Sequence, residues 1–260
     1  MSESPEANVS KYDTIYLEQA RRSARLAKKY RSPLGFGYIG AILLGIGIVA
    51  SVVHIYVTQV RGNAIEKYLD GQTLTPEEAA RGDLPVHLTV LLQFGLMALT
   101  APTYLMWFYR VYSNLTPLGA RRTDWSPGWT IGSWFVPILS WYLPCSMIRE
   151  TWKNSFPPPD SGKKQAAPGS AIVIVWWVLW VLAQILSFTT VDTSDIERLA
   201  QHAQNVAIHE IVRILAAGAC IYIMLKISSW QDGRHECLRK IRANLPPEPE
   251  QNSEFWSNAK

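Results

Sequence analysis

WSPGWTIGSWFVPILSWYLP, residues 125–144, is the stretch on which the fold turns. It carries no charge, four tryptophans and three prolines. A run of about 20 apolar residues is long enough to cross a hydrocarbon core. Interior prolines, however, remove a backbone donor and clash with the preceding turn, so this run does not read as one ordinary helix. If it crosses a membrane, everything downstream changes side; if it does not, its two flanks share a side.

Its surroundings are also apolar. The 260 residues have a mean hydropathy near zero, but their apolar residues are gathered into blocks at about 34–57, 84–109, 171–191 and 206–230. Short charged connectors separate these blocks, the pattern of a multi-spanning membrane protein. Nine of the eleven tryptophans fall between Trp107 and Trp180, and Trp favours the membrane–water interface. The block at 34–57 holds two rows of small residues, Gly37, Ala41 and Gly45, and Gly40, Gly47 and Ser51. Such rows let helix backbones approach closely in lipid.

The net charge of +4 points to membrane orientation rather than nucleic acid, because the cations sit beside the ends of the apolar blocks. Residues 1–33 form a basic cytoplasmic segment, with Arg21, Arg22, Arg25, Lys28, Lys29 and Arg31 and no acid from 19 to 33. Such a cluster next to a span is drawn to anionic lipid headgroups. If 125–148 does not cross, seventeen Lys/Arg from 19–33, 110–124, 149–168 and 230–245 share one side, and four from 61–85 and 192–205 face the other. If it crosses, the split becomes ten against eleven. Lys and Arg gather on the cytoplasmic side, so the non-crossing arrangement is expected.

The expected fold is therefore an all-α membrane protein of four transmembrane helices plus a proline-broken re-entrant or interfacial helical hairpin at about 125–148. In it Ser126 caps a short helix with Pro127 at its first position, Pro137 breaks the interior, and Pro144 starts a second helix. Irregular backbone at membrane depth needs protein around it, so the hairpin should pack on the spans. Residues 61–83 read as a polar loop with a short helix capped at Thr75-Pro76, and 156–170 as a loop. Met147, Ile148, Thr151 and Trp152 alternate with Arg149, Glu150 and Lys153 at helical spacing. Ser194-Asp195-Ile196-Glu197 is a capping box that should open one long helix to about Trp230. The 231–260 tail is expected to lie in the cytoplasm, its Pro-rich end disordered. No cleavable leader is expected, because a charged segment precedes the first apolar run. Both termini should be cytoplasmic, in a bacterial inner membrane.

Trp107-Phe108-Tyr109-Arg110, Asn114-Leu115, Leu118-Gly119, Ser126-Pro127-Gly128-Trp129, Trp134-Phe135-Val136-Pro137 and Glu150-x-Trp152 resemble the signature of the bacterial domain of unknown function 4328, over roughly Leu84 to Val191. The chain departs from it at Ser140, where an Asn is expected, and at Pro144-Cys145-Ser146, where the pattern has Pro-Tyr-Gln. The resemblance implies a multi-pass bacterial membrane protein and supplies no activity.

Polar residues inside spans are costly and call for explanation. Gln93, Gln184, His209, Glu210 and Arg213 are the candidates for an intramembrane polar path for a solute or proton. The plainer account is an interfacial Glu210–Arg213 pair that snorkels to water. His209-Glu210 lacks the second histidine of a zinc-protease HExxH, since Arg213 stands there. His54 and His87 read as interfacial, and Asn114-Leu115-Thr116 is a sequon in a cytoplasmic loop. Cys145, Cys220 and Cys237 form neither a zinc pattern nor a disulfide framework. No cofactor motif or catalytic set is present. Three classes stay open: a non-catalytic module that scaffolds, senses or regulates a membrane partner or a second copy of itself; a channel or transporter using the broken helices; and a lipid-modifying membrane enzyme.

Overall fold

The computed structural model describes residues 28–73, 75–120, 122–156, 169–187 and 196–243. Seven helices and no strand lie among them: α1 (Leu34–Leu69), α2 (Pro76–Ser113), α3 (Trp129–Gly132), α4 (Pro137–Ser140), α5 (Leu143–Ser155), α6 (Ala171–Ser187) and α7 (Ile196–Ala243). Residues 1–27 of the basic segment, the cap at Ser194-Asp195, most of the 156–170 loop and the tail after Asn244 lie outside the described residues.

Among the described residues, three helices are long and apolar enough to cross a membrane, Leu34–Leu69, Asp83–Ser113 and His202–Lys240. The fourth apolar helix, Ala171–Ser187, has 17 residues and rises about 25 Å. Leu84, Leu88, Leu91, Phe94 and Met97 on α2, and Ile42, Val49, Val53 and Tyr56 on α1, are exposed. Apolar faces this extensive suit lipid rather than water, so the chain has the make-up of a membrane protein.

The stretch 61–83 is a correction to the expected loop. α1 runs on to Leu69, and α2 starts at Pro76 and continues without a break into the apolar block. Only a short turn joins them. Gly71, at φ +78°, ends α1 by donating to the Tyr68 carbonyl while Gln72 donates to Lys67, the left-handed cap that glycine adopts most readily. Pro102 interrupts the ladder inside α2, where the Thr100 and Thr103 hydroxyls donate to the Leu96 and Leu99 carbonyls.

α1 packs along α7 and α2, and α6 packs on α7. Gly37 of α1 lies against Ser228, Gly40 against Met224 and Gly62 against Ala203, so α1 and α7 run antiparallel. The buried residues of α1 are Gly37, Gly40, Ala50, Ser51, His54, Thr58 and Gly62. Of the two expected small-residue rows, Gly45 and Gly47 therefore have no contact role, with nothing within 4 Å of an added Cβ.

α7 extends past Trp230 to Ala243, beyond its expected end. A single glycine, Gly233, does not stop a helix whose side chains are held elsewhere. Here Arg234 donates to the Asn154 and Phe156 carbonyls, and His235 stacks on Tyr30 at 4.2 Å.

The core gathers at one end of the bundle. Trp107, Phe108, Val111, Tyr112 and Leu115 from α2 and its turn meet Leu143, Met147, Ile148 and Trp152 from α5, Val173, Trp176 and Trp177 from α6, and Ile223, Met224 and Ile227 from α7. α5 buries Met147, Ile148, Thr151 and Trp152 as the helical spacing predicted.

Candidate functional site

The stretch 125–144 forms α3, α4 and the start of α5, three helical pieces joined by turns. Proline placement is corrected in two respects. Pro137 is the first residue of α4, not an interior break, and forces Val136 into extended backbone (φ −103°, ψ 110°). Ser126 makes no side-chain cap on α3, whose N-cap is Gly128; the Pro127 carbonyl instead accepts from the Thr130 amide and hydroxyl. Pro144 sits in the first turn of α5, as expected.

The two ends of this insert meet. Glu150 of α5 accepts from the Asp124 amide through Oε1 at 3.0 Å and from the Tyr112 hydroxyl through Oε2 at 2.6 Å. The same hydroxyl accepts from the Trp125 amide at 3.1 Å. Between these ends, Trp134 packs edge-on to Tyr104, Trp177 and Trp180. Trp177 Nε1 donates to the Trp141 carbonyl at 3.1 Å. Trp129 packs edge-on to Trp125. Phe135 is 76 % exposed, so this signature residue does not pack in the core.

Next to the insert lies a buried polar hub. Asn114, in the turn after α2, donates through Nδ2 to the Arg31 carbonyl at 2.9 Å and to Gln231 Oε1 at 3.0 Å. Gln231 Nε2 donates to the Val111 carbonyl at 2.7 Å and to Ser155 Oγ at 2.9 Å. One turn earlier on α7, Ser228 Oγ accepts from Trp107 Nε1 at 2.9 Å. Gln231, Ser155, Ser228 and Trp107 are fully buried, where an unmet polar group is expensive. The turn closes at Gly119 (φ +89°), where Ala120 donates to Leu115 and Gly119 to Thr116. Sequence reasoning singled out Asn114 and missed Gln231 and Ser228. Their signal was weak: single neutral polar residues at the end of an apolar helix.

A second polar group lies about 27 Å further along the bundle, by the 18 residues of α7 between Glu210 and Ser228. Glu210 is 1 % exposed, and its Oε1 accepts from Arg213 Nη1 at 3.1 Å. The same nitrogen donates to Gln93 Oε1 at 2.9 Å, and His209 Nδ1 lies 3.6 Å from Glu210 Oε1. Among the described residues, Glu210 Oε2 and Gln93 Nε2 are buried without a hydrogen-bond partner. Gln184 is a correction: it is exposed on α6 and belongs to no such group. His54, read as interfacial, is instead buried on the α1 seam, with its Nδ1 2.7 Å from Thr89 Oγ1.

Residues 70–230 match the family model described as Domain of unknown function (DUF4328). The match takes in α2, the insert, α5, α6 and most of α7, and leaves out α1. No curated protein and no solved structure matches the chain.

Proposed function

Since the chain belongs to the DUF4328 family, which carries no assigned activity, we propose from its geometry that it is a four-span, non-catalytic membrane module that scaffolds, senses or regulates a partner or a second copy of itself. The observation that carries this reading is the hub. Asn114, Gln231, Ser155 and the Arg31 backbone tie the segment before α1, the α2 turn, α5 and α7 into one rigid end. A rigid end formed by basic segments is what a docking platform needs, and the proposal assigns it no reaction.

In the proposed topology α1, α2, α6 and α7 cross an inner membrane and both termini are cytoplasmic. The four segments that the charge bias puts in the cytoplasm are the same ones the hub joins, which supports that orientation. The insert then enters and leaves from the cytoplasmic side, because both its ends are held at Glu150. Its Trp134 reaches Tyr104 and Trp180, each about 15 Å along its helix from the hub end, about half of a ~30 Å hydrocarbon core. Reporter fusions at Gly162 and at the C-terminus test this. Cytoplasmic signals at both are expected, and an external signal at Gly162 would overturn it. Recovery of a stable oligomer or a stoichiometric partner after mild solubilisation is expected for the scaffold role; a monomer without partners would count against it.

One observation favours the solute or ion path as a second reading, namely the unpartnered Glu210 Oε2 and Gln93 Nε2. Cysteines placed at Gln93 and Glu210 should then react with aqueous thiol reagents, and sealed positions would remove that reading.

A further inference from the structure

A cleft of about 400 Å³ opens at the hub end, between the segment preceding α1, the end of α2 and α3. Its polar lip is formed by Lys29, Arg31 and Arg110. Its wall includes Phe36, Met106 and Ile131, one residue each from α1, α2 and α3. Arg110 is held in place: Nη1 donates to the Ser32 carbonyl at 3.2 Å, and the guanidinium lies over the Phe36 ring at 4.6 Å. Lys29 and Arg31 are exposed, and among the described residues neither side chain meets a carboxylate. Tyr30, between them, is fastened to Asp232 through its hydroxyl at 3.2 Å, and Asn114 holds the Arg31 backbone. These two exposed cations are thus carried on an anchored stretch of chain. Ser113 also lines the cleft, and its hydroxyl oxygen is buried with no hydrogen-bond partner among the described residues.

We propose that this cleft binds one anionic phospholipid. The phosphate sits among Lys29, Arg31 and Arg110 with Ser113 donating to it, and the acyl chain begins along Met106 and Ile131. Three cations and a free hydroxyl are the chemistry of a phosphate site, whether the phosphate is free or part of a headgroup. The apolar wall selects the lipid, since a free phosphate gains nothing from Phe36, Met106 or Ile131. Basic pockets between spans on the cytoplasmic side take anionic headgroups in the same way. The inference goes beyond the scaffold reading and would stand if the chain proved to be a transporter.

The test uses the full chain in mild detergent, with bound lipid counted by native mass spectrometry in added phosphatidylglycerol or phosphatidylcholine. One phosphatidylglycerol is expected to be retained in preference to phosphatidylcholine, with inorganic phosphate failing to displace it. Lys29→Gln/Arg31→Gln should weaken retention about 10- to 30-fold, from roughly one unit of surface binding energy per cation removed. Ile131→Glu, at a half-exposed position, should abolish retention by placing a carboxylate on the same cations while leaving thermal stability in phosphatidylcholine unchanged. This second variant decides the matter if the double variant is unstable. Equal retention of the two lipids, or unchanged retention in Ile131→Glu, would overturn the site. Displacement by inorganic phosphate would overturn the lipid in favour of a free anion. Lipid selectivity that survives a failed reporter topology faults the topology alone, and the reverse faults the site alone.

Discussion

Asn114 holds the backbone of Arg31 from both sides, donating to its carbonyl at 2.9 Å and accepting its amide at 3.2 Å, across 83 residues of chain. The Asn114 Nδ2 also donates to Gln231 Oε1, so one side chain fixes the segment before α1 to the last helix. Asn114→Ala leaves the Gln231 oxygen and both Arg31 groups unmet. It should cost about 2–4 kcal/mol and lower the melting temperature in detergent by roughly 5–15 °C. Trypsin should also cut sooner at Lys28, Lys29 and Arg31. A melting curve superimposable on that of the parent chain would show that water replaces these bonds without loss.

The seam between α1 and α7 separates glycines that matter from glycines that do not. A Cβ on Gly37 would stand 2.8 Å from Ser228 Oγ, and moving that hydroxyl breaks its bond from Trp107. Gly37→Ala should therefore destabilise by about 1–3 kcal/mol. Gly40→Ala presses on the flexible end of Met224 and makes ordinary contact with Thr103, so it should cost less. Gly45→Ala meets nothing and should be neutral or stabilising by up to about 1 kcal/mol through helix propensity. Unfolding in mixed micelles ranks the three, and an equal response would mean that the helices do not approach along this face.

Glu210 and Arg213 form a pair whose carboxylate side chain is 2 % exposed and whose guanidinium side chain is 35 % exposed. Arg213→Met strands the carboxylate in a nearly dry site. Discounted for the half-open arginine, the loss should be about 1–3 kcal/mol. Adding Glu210→Gln should restore most of it, because a neutral amide tolerates the site better than an unpaired charge. A double variant as unstable as the summed single variants would argue that the two side chains act independently.

The Tyr30 phenol is held above its ordinary value of 10.0, first by burial and then by the adjacent Asp232 charge. The folded chain thus keeps this proton more tightly than the unfolded chain. The stabilisation is complete below pH 10 and is lost as pH rises above it. Tyr30→Phe should lower stability at pH 8 and shrink the difference from the parent chain as pH approaches 11. Parallel melting temperatures across that range would exclude the linkage.

Helical character, the apolar blocks and the proline-interrupted insert were legible in the sequence because each rests on local composition: length of apolar run, spacing of α5, proline chemistry. Family membership was legible for the same reason, through short motifs such as SPGW and WFVP. Helix ends were read less well. The polar stretches 61–83 and 231–243 looked like loop and tail, yet both are largely helical, and 231–243 is held so by Tyr30 and the Asn154 and Phe156 carbonyls. Of the residues expected to form a polar path, Gln93, Glu210 and Arg213 meet, while Gln184 faces outward. Facing is a property of how helices rotate against one another, and a run such as α6, apolar but for Gln184 and Ser187, scarcely encodes it. Only the tertiary structure showed that Glu150 closes the insert on itself, that Asn114 and Gln231 share a hydrogen bond, and that three cations surround one cleft. Those partners come from distant parts of the chain, and the approach of the helix backbones brings them within bonding distance.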